Sequence, residues 1–180
     1  MGNSLLGHHA PSFDDPLALL SACHGRIERQ LATLARLQRH LPEHGCDKDA
    51  RAAARAILQY FDSAAPNHHA DEERSIFPRL AAAVPAAARL IAGLDADHAA
   101  LAANWRRLRP MLAAIAAGAR ANLSARDVAV VSRAYARHIA REESDLIPLA
   151  ARTFDAATLA AIGREMAARR SVAPDSLRRG

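Results

Sequence analysis

Apolar residues recur at three- and four-residue steps in four long stretches of this chain, and that period admits little other than packed amphipathic helices. The first stripe follows Asp15-Pro16, a cap residue with proline at the first helical position, and runs Leu17, Leu20, His24, Ile27, Leu31 and Leu34 toward Pro42. A second carries Leu58, Phe61, Ala65, His68, Glu72 and Ile76, with Pro66 expected to kink it and Pro78 to close it. After an alanine-rich turn at Pro85 the third runs Ile91, Leu94, His98, Leu101, Trp105, Leu108 and Leu112, with Pro110 bending its end. Ser124, with Asp127 three residues on, resembles a capping box and opens the fourth: Val128, Val131, Tyr135, His138, Glu142 and Leu149.

Composition agrees with the period. Alanine makes up about a quarter of the 180 residues, aromatics only 4%, and β-branched residues are sparse, which disfavours a sheet. The expected architecture is all-α: an antiparallel four-helix bundle over residues 15–152, preceded by an arm (1–14) and followed by a short fifth helix from about 155 to 169 within a basic tail (153–180). No apolar run reaches the roughly 20 residues of a membrane-spanning helix, and the start lacks the pattern of a secretory signal, so a cytoplasmic protein is expected. Cys23 and Cys46 match no metal or redox spacing. The pI of about 10.2 comes almost wholly from arginine, Lys48 being the single lysine. These charges are spread along the chain, densest at Arg106, Arg107 and Arg109 and at Arg164, Arg169, Arg170, Arg178 and Arg179, as on solvated helix faces.

The chemistry lies in what interrupts the stripes. His24, His68, Glu72, His98, His138 and Glu142 each stand where the period asks for leucine or isoleucine, so folding buries all six in one bundle. One buried histidine is ordinarily a hydrogen-bonded core residue. Two buried carboxylates among four imidazoles require pairing, protonation or a metal ion. The donor set suits iron or manganese better than zinc. A repeat sets the register: HHADEERSIFP (68–78) and HIAREESDLIP (138–148) superpose without a gap, matching His68 with His138, Glu72 with Glu142, Glu73 with Glu143 and Pro78 with Pro148. In each copy the histidine and the first glutamate stand four apart, stacked on one helix face. His69, Glu73 and Glu143 fall about 100° round the helix, where they read as supporting or solvated groups, with His69 or Glu73 as alternative ligands beside the Pro66 kink.

With these motifs in order from Pro16 to Pro148, the chain resembles the hemerythrin-like family, the HHE cation-binding domains. The resemblance rests on His24, on His68, Glu72, Phe77 and Pro78, on Asp97 and His98, and on His138, Glu142 and Pro148. It implies two non-haem irons joined by an oxo or hydroxo bridge. Glu72 and Glu142 would bridge both, with His24 and His68 on one iron and His98 and His138 on the other. It also implies binding or reduction of a small diatomic or peroxidic ligand, namely oxygen, nitric oxide or peroxide, in stress response or oxygen sensing, with an electron donor the sequence does not identify. Oxygen-carrying members place a further histidine one turn away on the third helix, but Leu94 and Ala102 occupy those positions here. Open coordination positions favour reactivity over reversible storage. Tyr135 and Trp105, on the inward stripes, are candidates to support the site by a hydrogen bond or a redox-active ring, or else simply fill the core.

Other functions fit less well. Glu-x-x-His pairs, HExxH and a glycine-flanked serine turn are all absent. Family members that repair iron-sulfur centres carry an extra cysteine-bearing N-terminal domain, for which this arm is short. An arginine-rich nucleic-acid binder would have no reason to bury four histidines.

Overall fold

The computed structural model describes residues 12–171 as five helices: α1 (Pro16–His44), α2 (48–83), α3 (Ala88–Ala116), α4 (125–153) and α5 (Ala156–Ser171). Side chains cap four of these starts, among them Asp15 and Ser124, the two caps the sequence marks. Asp15 accepts from the Ala18 amide, Asp47 from Ala50, Ser124 from Asp127 and Asp155 from Thr158, each satisfying a backbone donor that the first helical turn leaves free. Gly45 closes α1 with a positive φ of 66°, a conformation that glycine adopts without strain. Helix α2 runs on after α1 through a short turn, and the 3-10 turn Pro85–Ala87 leads into α3.

The prolines of α2 and α4 do not end their helices. Pro66 and Pro78 lie inside α2 and Pro148 inside α4, and each follows, by one residue, a wider π turn: Tyr60–Ala64, Glu72–Ile76 and Glu142–Leu146. In these turns the amides of Ala65, Phe77 and Ile147 reach back five residues, to the carbonyls of Tyr60, Glu72 and Glu142. A proline ring ordinarily collides with the carbonyl four residues back and leaves it unbonded; the local widening relieves both problems. The expected stop at Pro78 is therefore replaced by one helix that continues to Ala83, and just before Pro66, where a kink is expected, stands the π turn Tyr60–Ala64.

Antiparallel packing follows from the order of buried residues along each helix. One apolar cluster contains Leu20, Ile76, Leu80, Leu94 and Leu146; the other contains Ile27, Leu34, Ile57, Leu108, Leu112 and Val131. Along α1 and α3 the chain passes from the first cluster to the second, and along α2 and α4 it returns. The four helices pack as α1 on α2, α2 on α3, α3 on α4 and α4 on α1. On every helix the histidines and glutamates singled out above fall at the junction between the two clusters.

Helix α5 belongs to this core. Its Ile162 and Met166 are fully buried in the first cluster, and it lies against α1 and against the stretch of α2 that carries His68 and Glu72. The backbone of Phe13 crosses Gly163 so closely that a Cβ there would stand 1.9 Å from the Phe13 carbonyl oxygen, which only glycine permits. Arg169 and Arg170, expected as solvated tail charges, instead hold the buried Asp71 at 2.9 and 2.7 Å. Arg164 is on the same helix, whereas Arg178 and Arg179 lie outside the described residues, as does most of the expected arm.

Candidate metal centre

The two H-x-x-x-E-E copies bring their histidine and first glutamate to the bundle axis from α2 and α4, opposite His24 of α1 and His98 of α3. All six side chains are buried, with exposures from 0% for His68, Glu72 and Glu142 to 5% for His98. Their donor atoms form two groups, His24 with His68, Glu72 and Glu142, and His98 with His138, Glu72 and Glu142. Within each group the donor atoms lie within 4.8 Å of one another, and the two groups share both carboxylates.

Glu142 Oε2 stands 3.0 Å from His24 Nε2 and Oε1 stands 2.9 Å from His138 Nε2. Glu72 Oε2 stands 3.2 Å from His98 Nε2 and Oε1 stands 3.5 Å from His68 Nε2. These approaches are close but lack hydrogen-bond alignment. All four carboxylate oxygens, both ring nitrogens of His68 and Nε2 of His24 are buried without a hydrogen-bond partner. Native interiors almost never leave so many polar atoms unpaired, and a cluster of lone-pair donors facing one space is what a cation satisfies. The residues fit a metal centre.

The same crowding shifts proton affinities when no metal is bound. Burial and the neighbouring charge of Glu142 push Glu72 up to about 8. Burial would also raise Glu142, but the imidazoles of His138, His24 and His98 outweigh it and hold that carboxyl well below its usual range. For His98 burial is likewise overcome, by the carboxylates around it, and its proton affinity rises to about 10. Burial dominates at His68 and His69, lowered to about 3 and about 2, so both stay neutral.

The second glutamate of each copy works from outside. Glu143 accepts from His24 Nδ1 at 2.5 Å and is itself held by the Ser21 hydroxyl at 3.2 Å, while Glu73 accepts from His98 Nδ1 at 2.7 Å. Each turns an imidazole of the facing helix so that Nε2 points inward. Asp97 receives a 2.6 Å hydrogen bond from Arg141 and faces His138 Nδ1 at 3.8 Å, and Gly93 leaves the space through which the Arg141 guanidinium passes.

Tyr135 is buried beside the site, its ring centroid 6.4 Å from that of His69. Trp105 is not brought to the centre: it packs on Phe61 at 5.0 Å and donates its indole N–H to Asp62. Sequence reasoning missed Asp71, fully buried one residue before Glu72, because nothing local marks its arginine partners a hundred residues on. It gave His69 only as an alternative to its neighbour, and the structure brings His69 together with His98 and His138 in a third close group.

A family model described as the Hemerythrin HHE cation binding domain matches residues 15–150. The chain belongs to the hemerythrin HHE family. A relative in Haemophilus influenzae, named only as an uncharacterized protein, is 32% identical over 161 residues, spanning 89% of this chain and 93% of its own. As an HHE protein the chain is a metal-binding helical bundle, and the family match stops before α5. No helix among the described residues is long and apolar enough to cross a membrane.

Proposed function

We propose that the protein holds two iron ions between its four long helices and uses them to bind or reduce oxygen, nitric oxide or peroxide. One observation carries the reading: six buried donors form two four-membered groups that share Glu72 and Glu142. In this reading Glu72 and Glu142 would be shared between the ions, with His24 and His68 holding one and His98 and His138 the other. When bound, the iron pair supplies Lewis acidity and reversible electron transfer toward a small ligand.

The chain's own residues supply the rest. Glu143 and Glu73 fix the His24 and His98 rings by accepting their Nδ1 protons. The two apolar clusters on either side exclude bulk water and strengthen every charge interaction between them. Donors exposed by no more than 5% support a diatomic or peroxidic ligand over a bulky substrate. Pairing of Arg169 and Arg170 with Asp71, Arg109 with Asp62 and Arg141 with Asp97 weighs against a nucleic-acid surface, since these guanidinium groups already have carboxylate partners.

Anaerobic loading with ferrous iron tests the reading. About two irons per chain are expected, with spectral changes on mixing with peroxide, nitric oxide or oxygen. Protein that takes up zinc alone, or no metal, overturns it.

A further inference from the structure

We propose that His69 is a further ligand on the His98 and His138 side of the centre, supplying from the second helix the imidazole that the third helix lacks at Leu94 and Ala102. The inference rests on the metal reading above and concerns one residue that this reading does not use.

The repeat supplies the first argument. His69 aligns with Ile139 in the second copy, and Ile139 is a buried core residue at 7% exposure. His69 itself is half-buried, with its Nε2 fully buried, so one copy fills this position with an apolar side chain while the other turns a ring nitrogen inward there. Packing alone gives no reason for that exchange, because a ring nitrogen in the core costs free energy unless it has a partner. The structure supplies the second. His69 Nε2 is buried without a hydrogen-bond partner, although the side chain lies among three other histidines and a tyrosine.

The third argument is position. The donor atoms of His69, His98 and His138 lie within 4.8 Å of one another, the same closeness that defines the two groups around Glu72 and Glu142. The His69 ring centroid is 4.0 Å from that of His98 and 5.7 Å from that of His138. Successive residues on an inward helix point about 100° apart, so His68 and His69 straddle the bundle axis. His68 turns to His24 of α1, with ring centroids at 4.9 Å, and His69 turns to α3 and α4. The spacing that made His69 look displaced from Glu72 thus directs it to the other half of the centre.

The test uses His69→Ile, which imports the residue of the second copy and so respects the core. The full chain is titrated with cobalt(II) as the probe metal, following uptake calorimetrically and counting the exchangeable imidazole N–H signals that the metal shifts in the proton NMR spectrum. Wild type is expected to bind two equivalents, while His69→Ile binds one of them at least about tenfold more weakly and loses a single shifted signal. The metal-free variant is expected to melt at or above the wild-type temperature, a change opposite in sign to the loss of metal. His69→Gln, which keeps a polar side chain, repeats the measurement should the isoleucine variant not fold. Two equivalents bound as tightly by the variants as by wild type, with every shifted signal retained, overturn the role of His69 and leave the metal reading intact. A wild-type chain that binds no cobalt and no iron overturns both.

Discussion

Glu73 and Glu143 occupy the same place in the two copies of the repeat, and each holds a histidine on the helix opposite. Side-chain exposures of 43% and 42% mean that neither contributes much to the core. Their effect is on orientation: an Nδ1–H held by a carboxylate leaves Nε2 as the donor that faces a metal and raises its basicity. Replacing either by alanine is expected to weaken metal binding by about 10- to 100-fold while leaving the metal-free melting temperature nearly unchanged. Metal titration beside a thermal melt checks this, and a variant that binds metal normally sinks the assigned role. The six inward donors were legible in the sequence because each replaces an apolar residue in a 3.6-residue period. The partners of Glu73 and Glu143 were not, since a contact across 25 or 119 residues leaves no periodic trace. His69 marks the limit of the period: helix spacing tells which residues share a face, but not which side chains of other helices meet the next face round.

At the scale of elements, the four bundle helices could be read from their stripes, and the starts of α1 and α4 from their caps, whereas the course of α2 and α4 through their prolines could not. Proline is read as a helix breaker, and the π turns Tyr60–Ala64, Glu72–Ile76 and Glu142–Leu146 that accommodate it leave no mark in the hydrophobic period. Helix α5 was visible as a helix but not as a brace. Arg169 also donates to the Ser75 hydroxyl, and Glu165 joins Ser75 and Arg79, so the polar face of α5 grips the turn of α2 that carries Glu72. Removing both Arg169 and Arg170 strands Asp71, whose burial already pushes its carboxyl up against their pull. The double alanine variant is expected to lose about 3–5 kcal/mol of stability, as when one side of a buried ion pair is deleted. Adding Asp71→Asn should return part of the loss. Urea unfolding measures both, and a double variant as stable as wild type refutes the bracing role.

For the whole molecule, the centre sets how stability depends on pH, because its side chains hold protons where a metal would bind. Without metal, His98 keeps its proton up to about 10 and Glu72 keeps its own up to about 8. Both groups are raised on folding, so the stability they contribute is complete below their unfolded values. It is lost as pH climbs, between roughly 4.5 and 8 for Glu72 and between roughly 6.5 and 10 for His98. His68 and His69 act in the opposite sense: held neutral by burial, they penalise the folded state once pH falls below about 6.5, where the unfolded chain takes up their protons. The metal-free protein should therefore be most stable near neutrality and weaken toward alkaline pH. A metal ion requires Glu72 ionised and a free ring nitrogen on His98, so its binding releases protons and strengthens as pH rises over the range in which the metal-free form weakens. The gap in melting temperature between metal-loaded protein and protein in chelator is thus expected to widen from pH 6.5 to pH 9, as binding to the native state adds stability in proportion to its affinity. A gap that stays constant or narrows over that range would show that protons and metal do not compete for the same buried side chains.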